Sequence, residues 1–189
     1  MPRGDDDGPG SGSEARGNDG RANRVDQEIG STQSGRTRGP FAIWLRDPAL
    51  AEQASKFSNY LRNETSLATP LQEIAILVTA CHWTAQYAWS VHERRALEAG
   101  VHEGVVEAIR DRRQPGFDDP VEEMVYVVCS QLFDTDALSD DTHDRATELL
   151  GQQTLIELVA IAGYYSMLAL TLNAFDAPTP EGGPSPLGD

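Results

Sequence analysis

From about residue 39 onward, apolar side chains recur at three- and four-residue steps, and no window keeps the two-residue alternation of a half-buried strand. The pattern predicts helix after helix. "DPALAEQASKFSNYLRN" opens with Asp47 as N-cap and Pro48 at the first helical position, and "TPLQEIAILVTACHW" opens the same way with Thr69 and Pro70. A third helix carries "WTAQYAWSVH" and stops at Gly100, a residue suited to the C′ position. Further helices are predicted at "HEGVVEAIR", at "PVEEMVYVVCSQLF", at "SDDTHDRATELLG" between Ser139 and Gly151, and from about Gln153 to Phe175. No internal repeat is visible. The expected fold class is all-α, with about six to seven helices.

The last of these helices has no charged residue from Leu158 to Phe175. At about 1.5 Å per residue such a run spans roughly 27 Å, just short of a hydrocarbon core. Polar positions inside it, such as Tyr164, Tyr165 and Asn173, and the flanking acids Glu157 and Asp176 predict a central buried helix rather than a membrane span. A helix apolar all round in a small domain also predicts that another subunit covers part of it.

Composition sharpens the boundaries. Residues 1–38 are rich in Gly, Ser, Asn, Asp and Arg, with almost nothing to bury, and are expected to form a disordered tail. Residues 179–189, rich in Pro and Gly, are expected to be a flexible C-terminus, which leaves a helical domain over 39–178. The first 38 residues hold six arginines against seven acids, so nearly all of the net charge of -15 belongs to the remainder. A surface of that sign repels phosphate backbones and anionic lipid, so neither nucleic acid nor membrane is an expected partner. The N-terminus shows neither a signal peptide nor a transit peptide, and a cytoplasmic protein is expected.

The candidate chemistry is sparse. Cys81 and Cys129 stand too far apart for a C-x-x-C pair. "HERRA" at His92 and "HEGVV" at His102 lack the second histidine of a zinc H-E-x-x-H motif, so no metal is expected. Glu73 sits among apolar neighbours in "QEIAILV", where an ionised carboxylate is costly unless paired or solvated. His92 shares a helix face with Ala88, Ala85 and Trp89, a setting in which a histidine is more often a satisfied core residue. Tyr87 lies about 140° round the same helix.

"EIAILVTACHWTAQYAWSVHERRALEAGV" resembles the carboxymuconolactone decarboxylase family, which includes the alkyl hydroperoxidase D proteins and shares a pattern like E-I-x-I-L, Y-x-W-x-x-H and A-G. The resemblance extends from "GPFAIWLRDP" through "GYYSMLALTLNAF" and implies an alkyl hydroperoxidase D-like helical domain that self-associates as a trimer or hexamer. The hydroperoxidase branch carries C-x-x-C-x-x-x-H, a glutamate twelve residues before the first cysteine and a tyrosine just before the second. Glu73, Tyr87 and His92 match that glutamate, tyrosine and histidine, whereas the two cysteine positions hold Ala85 and Ala88.

The missing pair matters, because peroxide reduction of that type needs an attacking thiolate and a resolving thiol. The resemblance therefore implies acid/base, lyase-type chemistry on a small organic acid or lactone, without a cofactor. His92 would be general acid/base, Glu73 the group that orients it, Tyr87 a hydrogen-bond donor, and Trp83 and Trp89 pocket walls. The alternatives are a peroxiredoxin-type activity using Cys81, one helical turn before Ala85, and a non-catalytic small-ligand-binding oligomer.

Overall fold

The computed structural model describes residues 11–32, 37–180 and 185–188, without the side chains of 11–19 and 31–32. These residues form nine helices and no strand. The chain divides into two compact units, Met1–Lys56 and Phe57–Asp189.

The first unit holds α1 (Ser11–Thr32), α2 (Pro40–Trp44) and the opening of α3 (Pro48–Asn63). Helix α1 corrects the expectation of a disordered tail over 11–32. Two of the few apolar residues there, Val25 and Ile29, are four apart and fully buried, and Arg21 donates from Nε and Nη2 to Glu52 at 3.2 and 2.7 Å. One apolar pair at helical spacing is thus enough to dock an otherwise polar helix. Of the rest of the expected tail, 1–10 and 33–36 lie outside the described residues, and Thr37 is buried, its hydroxyl donating to Asp26 O at 3.3 Å. Asp47 caps α3 as predicted, its Oδ1 accepting from the Leu50 amide at 3.2 Å.

The second unit is built around α4 (Thr69–His82), which packs on α5 (Gln86–Glu98), α6 (Glu103–Arg110), α7 (Pro120–Thr135) and α9 (Gln152–Ala174). Every residue of α4 from Gln72 to Cys81 is buried. Its Ile74, Ile76, Val78 and Thr79 are β-branched and poor helix formers, so burial rather than intrinsic propensity holds this helix. The central helix is therefore α4, not the last helix as expected. Its cap also differs: Ala68 is the N-cap, and Thr69 and Pro70 occupy the first two helical positions.

The stretch "WTAQYAWSVH" is not one helix. Residues 83–85 form a tight turn with Thr84 at φ 48°, closed by the Ala85 amide donating to Ala80 O at 2.8 Å. A positive φ is costly for threonine, and three bonds hold the turn in place. Arg112 Nη2 donates to Cys81 O at 2.7 Å, Asn173 Nδ2 to Trp83 O at 2.7 Å, and Trp83 Nε1 to Ser166 Oγ at 2.9 Å. The turn sends α5 back along α4 until Gly100, at φ 95°, ends it as predicted.

Helix α8 (Asp140–Leu150) packs on α7 and α9, and Ser139 Oγ accepts from the Thr142 amide at 3.2 Å as the predicted N-cap. Helix α9 buries one face, including Leu158, Ile161, Tyr165, Leu168 and Leu172. The C-terminus is tied at 185–188 rather than free, because Gln86 accepts from the Leu187 amide at 3.0 Å and donates to Gly188 O at 2.7 Å.

Trp89 is completely enclosed, and its indole N–H has no hydrogen-bond partner among the described residues. Trp89→Ala should cost about 3–5 kcal/mol in chemical denaturation, as cavity-forming aromatic deletions do. Trp89→Phe should cost clearly less, because no hydrogen bond is lost with the indole nitrogen.

Candidate functional site

Glu73 lies one turn into α4, and the return path of α5 brings His92 alongside it. Glu73 is 1% exposed, and its Oε2 is 2.6 Å from His92 Nδ1. A carboxylate enclosed this way needs a partner, and the short bond supplies one. Two further groups complete the shell. Arg62, in the last turn of α3, places Nη2 at 3.8 Å from Glu73 Oε1 and donates from Nη1 to the Tyr165 hydroxyl at 3.1 Å. Tyr165, from the buried face of α9, sets its ring edge-on to His92, with centroids 5.2 Å apart and planes at 89°.

Burial pushes the His92 imidazole below its ordinary range, in spite of the opposing hydrogen bond and charge of Glu73. The ring is therefore neutral at pH 7, donating from Nδ1 to the carboxylate, and no described residue bonds its Nε2. Burial likewise raises the Tyr165 phenol, against the pull of Arg62, and keeps it a neutral hydroxyl.

An open cleft of about 320 Å³ reaches this cluster, lined by Arg62, Thr69, Glu73, Arg95, Glu98 and Ala99. Glu73 forms part of its wall, and His92 stands on the other side of that carboxylate. Arg95 is one turn beyond His92 on α5. Its guanidinium forms no hydrogen bond or ion pair among the described residues, although its charge is felt by both His92 and Tyr165. The lining of the cleft thus includes a carboxylate and a cation that has no partner among the described residues.

The structure brings Glu73 and His92 together and adds Arg62, Tyr165 and Arg95, which motif spacing did not single out. Tyr87 is half-buried on α5, and the phenol that meets His92 is that of Tyr165. Neither tryptophan lines the cleft: Trp89 belongs to the core, and Trp83 is tied to Ser166. Cys81 is buried, donates from Sγ to Ile109 O at 3.1 Å, and has its thiol pKa raised by burial despite nearby Arg112. Among the described residues, no three His, Cys, Asp or Glu side chains are grouped to hold a metal.

No family model and no curated protein matches this chain. Solved structures do. An uncharacterized peroxidase-related protein from Silicibacter sp. TM1040 superposes with a TM-score of 0.71 at 11% identity, covering 84% of this chain and 86% of its own. The debrominase Bmp8, as a cysteine-to-alanine variant with 2,3,4-tribromopyrrole, gives 0.70 at 16% identity over 94% and 91%. Apo Bmp8 gives 0.69 at 16% identity over 95% and 94%. The fold is all-α and alkyl hydroperoxidase D-like.

The lowered imidazole pKa has a defined effect on stability. Stability linked to a neutral buried His92 is intact above its ordinary value of 6.5 and is lost as the pH falls through the lower folded value, because the unfolded chain takes up the proton first. Denaturation midpoints measured between pH 7.5 and 5 should fall with acidification. In His92→Gln that fall should be shallower, with the remaining slope due to other groups.

Proposed function

We propose that the Glu73–His92 pair is the acid/base centre of a lyase-type enzyme acting on a small organic acid or lactone, with no thiol in the chemistry. One observation carries this reading: a buried carboxylate held by a neutral imidazole at 2.6 Å forms the wall of an open cleft beside an unengaged arginine. Such a pair holds one proton on its short bond and can accept a second, so it can take a proton from the solvent side and deliver it to carbon.

In a decarboxylation of a β-keto or vinylogous acid, the bond from carbon to the carboxylate breaks and its electron pair moves to the carbonyl oxygen as an enolate. Carbon dioxide leaves, and a proton adds to the carbanionic carbon. Arg95 suits the enolate oxygen, where charge develops, better than the leaving carboxylate, because a salt bridge to the latter would stabilise the ground state. Arg62 flanks Glu73, and Tyr165 packs its ring on His92 while accepting a hydrogen bond from Arg62. Bmp8, which shares the fold, is seen with a small halogenated ring, and a small-molecule substrate is proposed here on the same scale. The buried, protonated Cys81 thiol lends nothing to a peroxidase reading.

The test is a panel of small β-keto acids, vinylogous acids and lactones, followed by CO₂ release, product formation and ligand-induced melting shifts. Glu73→Gln and His92→Gln should each lower turnover by roughly 10²–10⁴-fold, in line with loss of a positioned acid/base group. Cys81→Ser should leave it unchanged. Saturable melting shifts without turnover would instead identify a binding protein, and a peroxide-consuming activity abolished in Cys81→Ser would overturn the proposal.

A further inference from the structure

The cleft beside Glu73 reverses the sign of its surroundings. With His92 neutral, the Glu73 carboxylate shares the lining with two guanidiniums, Arg62 and Arg95, on a chain whose net charge is -15. Glu98, the other acid there, is opposed by Arg94, whose Nε lies 3.6 Å from it. Arg62 is divided between two partners, donating to the Tyr165 hydroxyl at 3.1 Å and standing 3.8 Å from Glu73. Arg95 has no hydrogen bond or ion pair among the described residues. A guanidinium in a cleft with its donors uncommitted suits an oxoanion, and a carboxylate best, because two oxygens match its planar fork.

The same two charges act on the pair behind that wall. Burial is the largest influence on the His92 imidazole; after it, Glu73 favours a proton there, and Arg95 and Arg62 oppose one. Among the other elements packed on α4 and α5, α6 turns Arg110 to Glu93 and Asp111, at 3.9 and 3.1 Å, α7 brings Cys129 as a buried thiol, and α9 brings Tyr165 as a neutral phenol. An anion seated on Arg95 therefore cancels one of the charges that keep the second proton away. We propose that carboxylate binding in the cleft and proton uptake by the Glu73–His92 pair are one coupled event, so that the empty cleft leaves the pair with a single proton and a bound anion lets it take another.

Geometry gives the coupling its reach. Glu73 is at once a wall of the cleft and the partner of His92 Nδ1 at 2.6 Å, so a single side chain separates the anion's position from the imidazole. The added proton has a place, since Nδ1 carries the first and no described residue bonds Nε2. A unit charge within about 10 Å, at an effective dielectric near 20, moves a titration by roughly one pH unit. Such coupling is reciprocal. Carboxylate binding should tighten as the pH falls, and proton uptake on binding should be largest between the imidazole's values in the empty and the filled cleft, the first of which lies below 6.5.

The use of this coupling, though not its existence, rests on the acid/base reading. Decarboxylation of a β-keto acid anion consumes one proton: the bond to the carboxylate carbon breaks, its electron pair forms the enolate, carbon dioxide leaves and the proton joins carbon. In the coupled cleft that proton is loaded as the anion enters. Once it has passed to carbon, the product is a neutral ketone, and the pair is back to the single proton that the empty cleft favours. A lactone without a carboxylate would enter without loading a proton. The coupling thus selects free acids over neutral lactones as substrates.

Trifluoroacetate is the probe, because it stays ionised throughout the titration and cannot form an enolate. Fluorine NMR follows its binding to the full chain from about 1 to 100 mM, a range suited to a contact of one or two guanidiniums. Imidazole resonances, assigned with His92→Gln, are titrated alongside in trifluoroacetate and in chloride at equal ionic strength. Trifluoroacetate should bind saturably and raise the His92 pKa by roughly one pH unit over chloride, with His82, His102 and His143 unmoved. Arg95→Gln should start from a higher His92 pKa in chloride and lose both the binding and the rise, whereas Arg95→Lys should stay near the wild-type starting value. Absence of saturable binding would overturn the proposal, as would binding that leaves His92 unmoved or a rise that persists in Arg95→Gln. The readouts need no turnover. Coupling in a protein that decarboxylates nothing would therefore refute the acid/base reading alone, and turnover of acids with His92 indifferent to the anion would refute the coupling alone.

Discussion

A carboxylate placed in the middle of an apolar helix is the constraint around which this unit is arranged. An isolated ionised Glu73 in that position would be prohibitive to desolvate, so it must find a donor within reach. The donor is His92, and reaching it requires α5 to leave α4 in a tight turn and run back beside it. The strained Thr84 and the bonds from Arg112, Asn173 and the Trp83 indole are what that reversal demands. Those partners come from beyond α6 and from α9, so the pair is supported by elements distant in sequence.

The same helix, α9, serves two environments. Its inner face supplies Tyr165, whose ring rests on His92 and whose hydroxyl takes a hydrogen bond from Arg62, along with the aliphatic residues that pack on α4 and α8. Its outer face carries none of this chemistry. Near-uniform apolarity along α9 is therefore not one property but two, an inner packing surface and an exposed apolar outer face. This also explains why α4, with Gln72–Cys81 buried without a break, is the central helix, although α9 has the longer uncharged run.

Local signals carried much of the architecture. Asp47 and Ser139 as caps, Gly100 as terminator and the periodicity of α3 to α9 were all legible because each depends on residues within a turn or two. Thr69 misled: before Pro70 it looks like a cap, but the chain is already helical there and Ala68 takes that position. Helix α1 escaped because two buried side chains in a polar stretch do not make a periodic pattern. At the site, Glu73 and His92 were readable as a buried acid and a histidine on an adjoining helix, in a spacing shared with a known family. Arg62, Arg95 and Tyr165 were not, since an arginine at a helix end and a tyrosine in an apolar run have no local mark of where their tips converge.

The two alanines at positions 85 and 88 bear on the chemistry. Both residues are buried, Ala85 in the turn after α4 and Ala88 on α5, and neither supplies a thiol beside the Glu73–His92 pair. The one nearby thiol, Cys81, points its proton at the Ile109 carbonyl and is held protonated by burial, the reverse of what a nucleophilic cysteine needs. The proposed role rests instead on the 2.6 Å bond, the neutral imidazole and the open cleft, whose Arg95 guanidinium has no partner among the described residues. Proton transfer at a bound substrate is therefore the chemistry we propose for these groups.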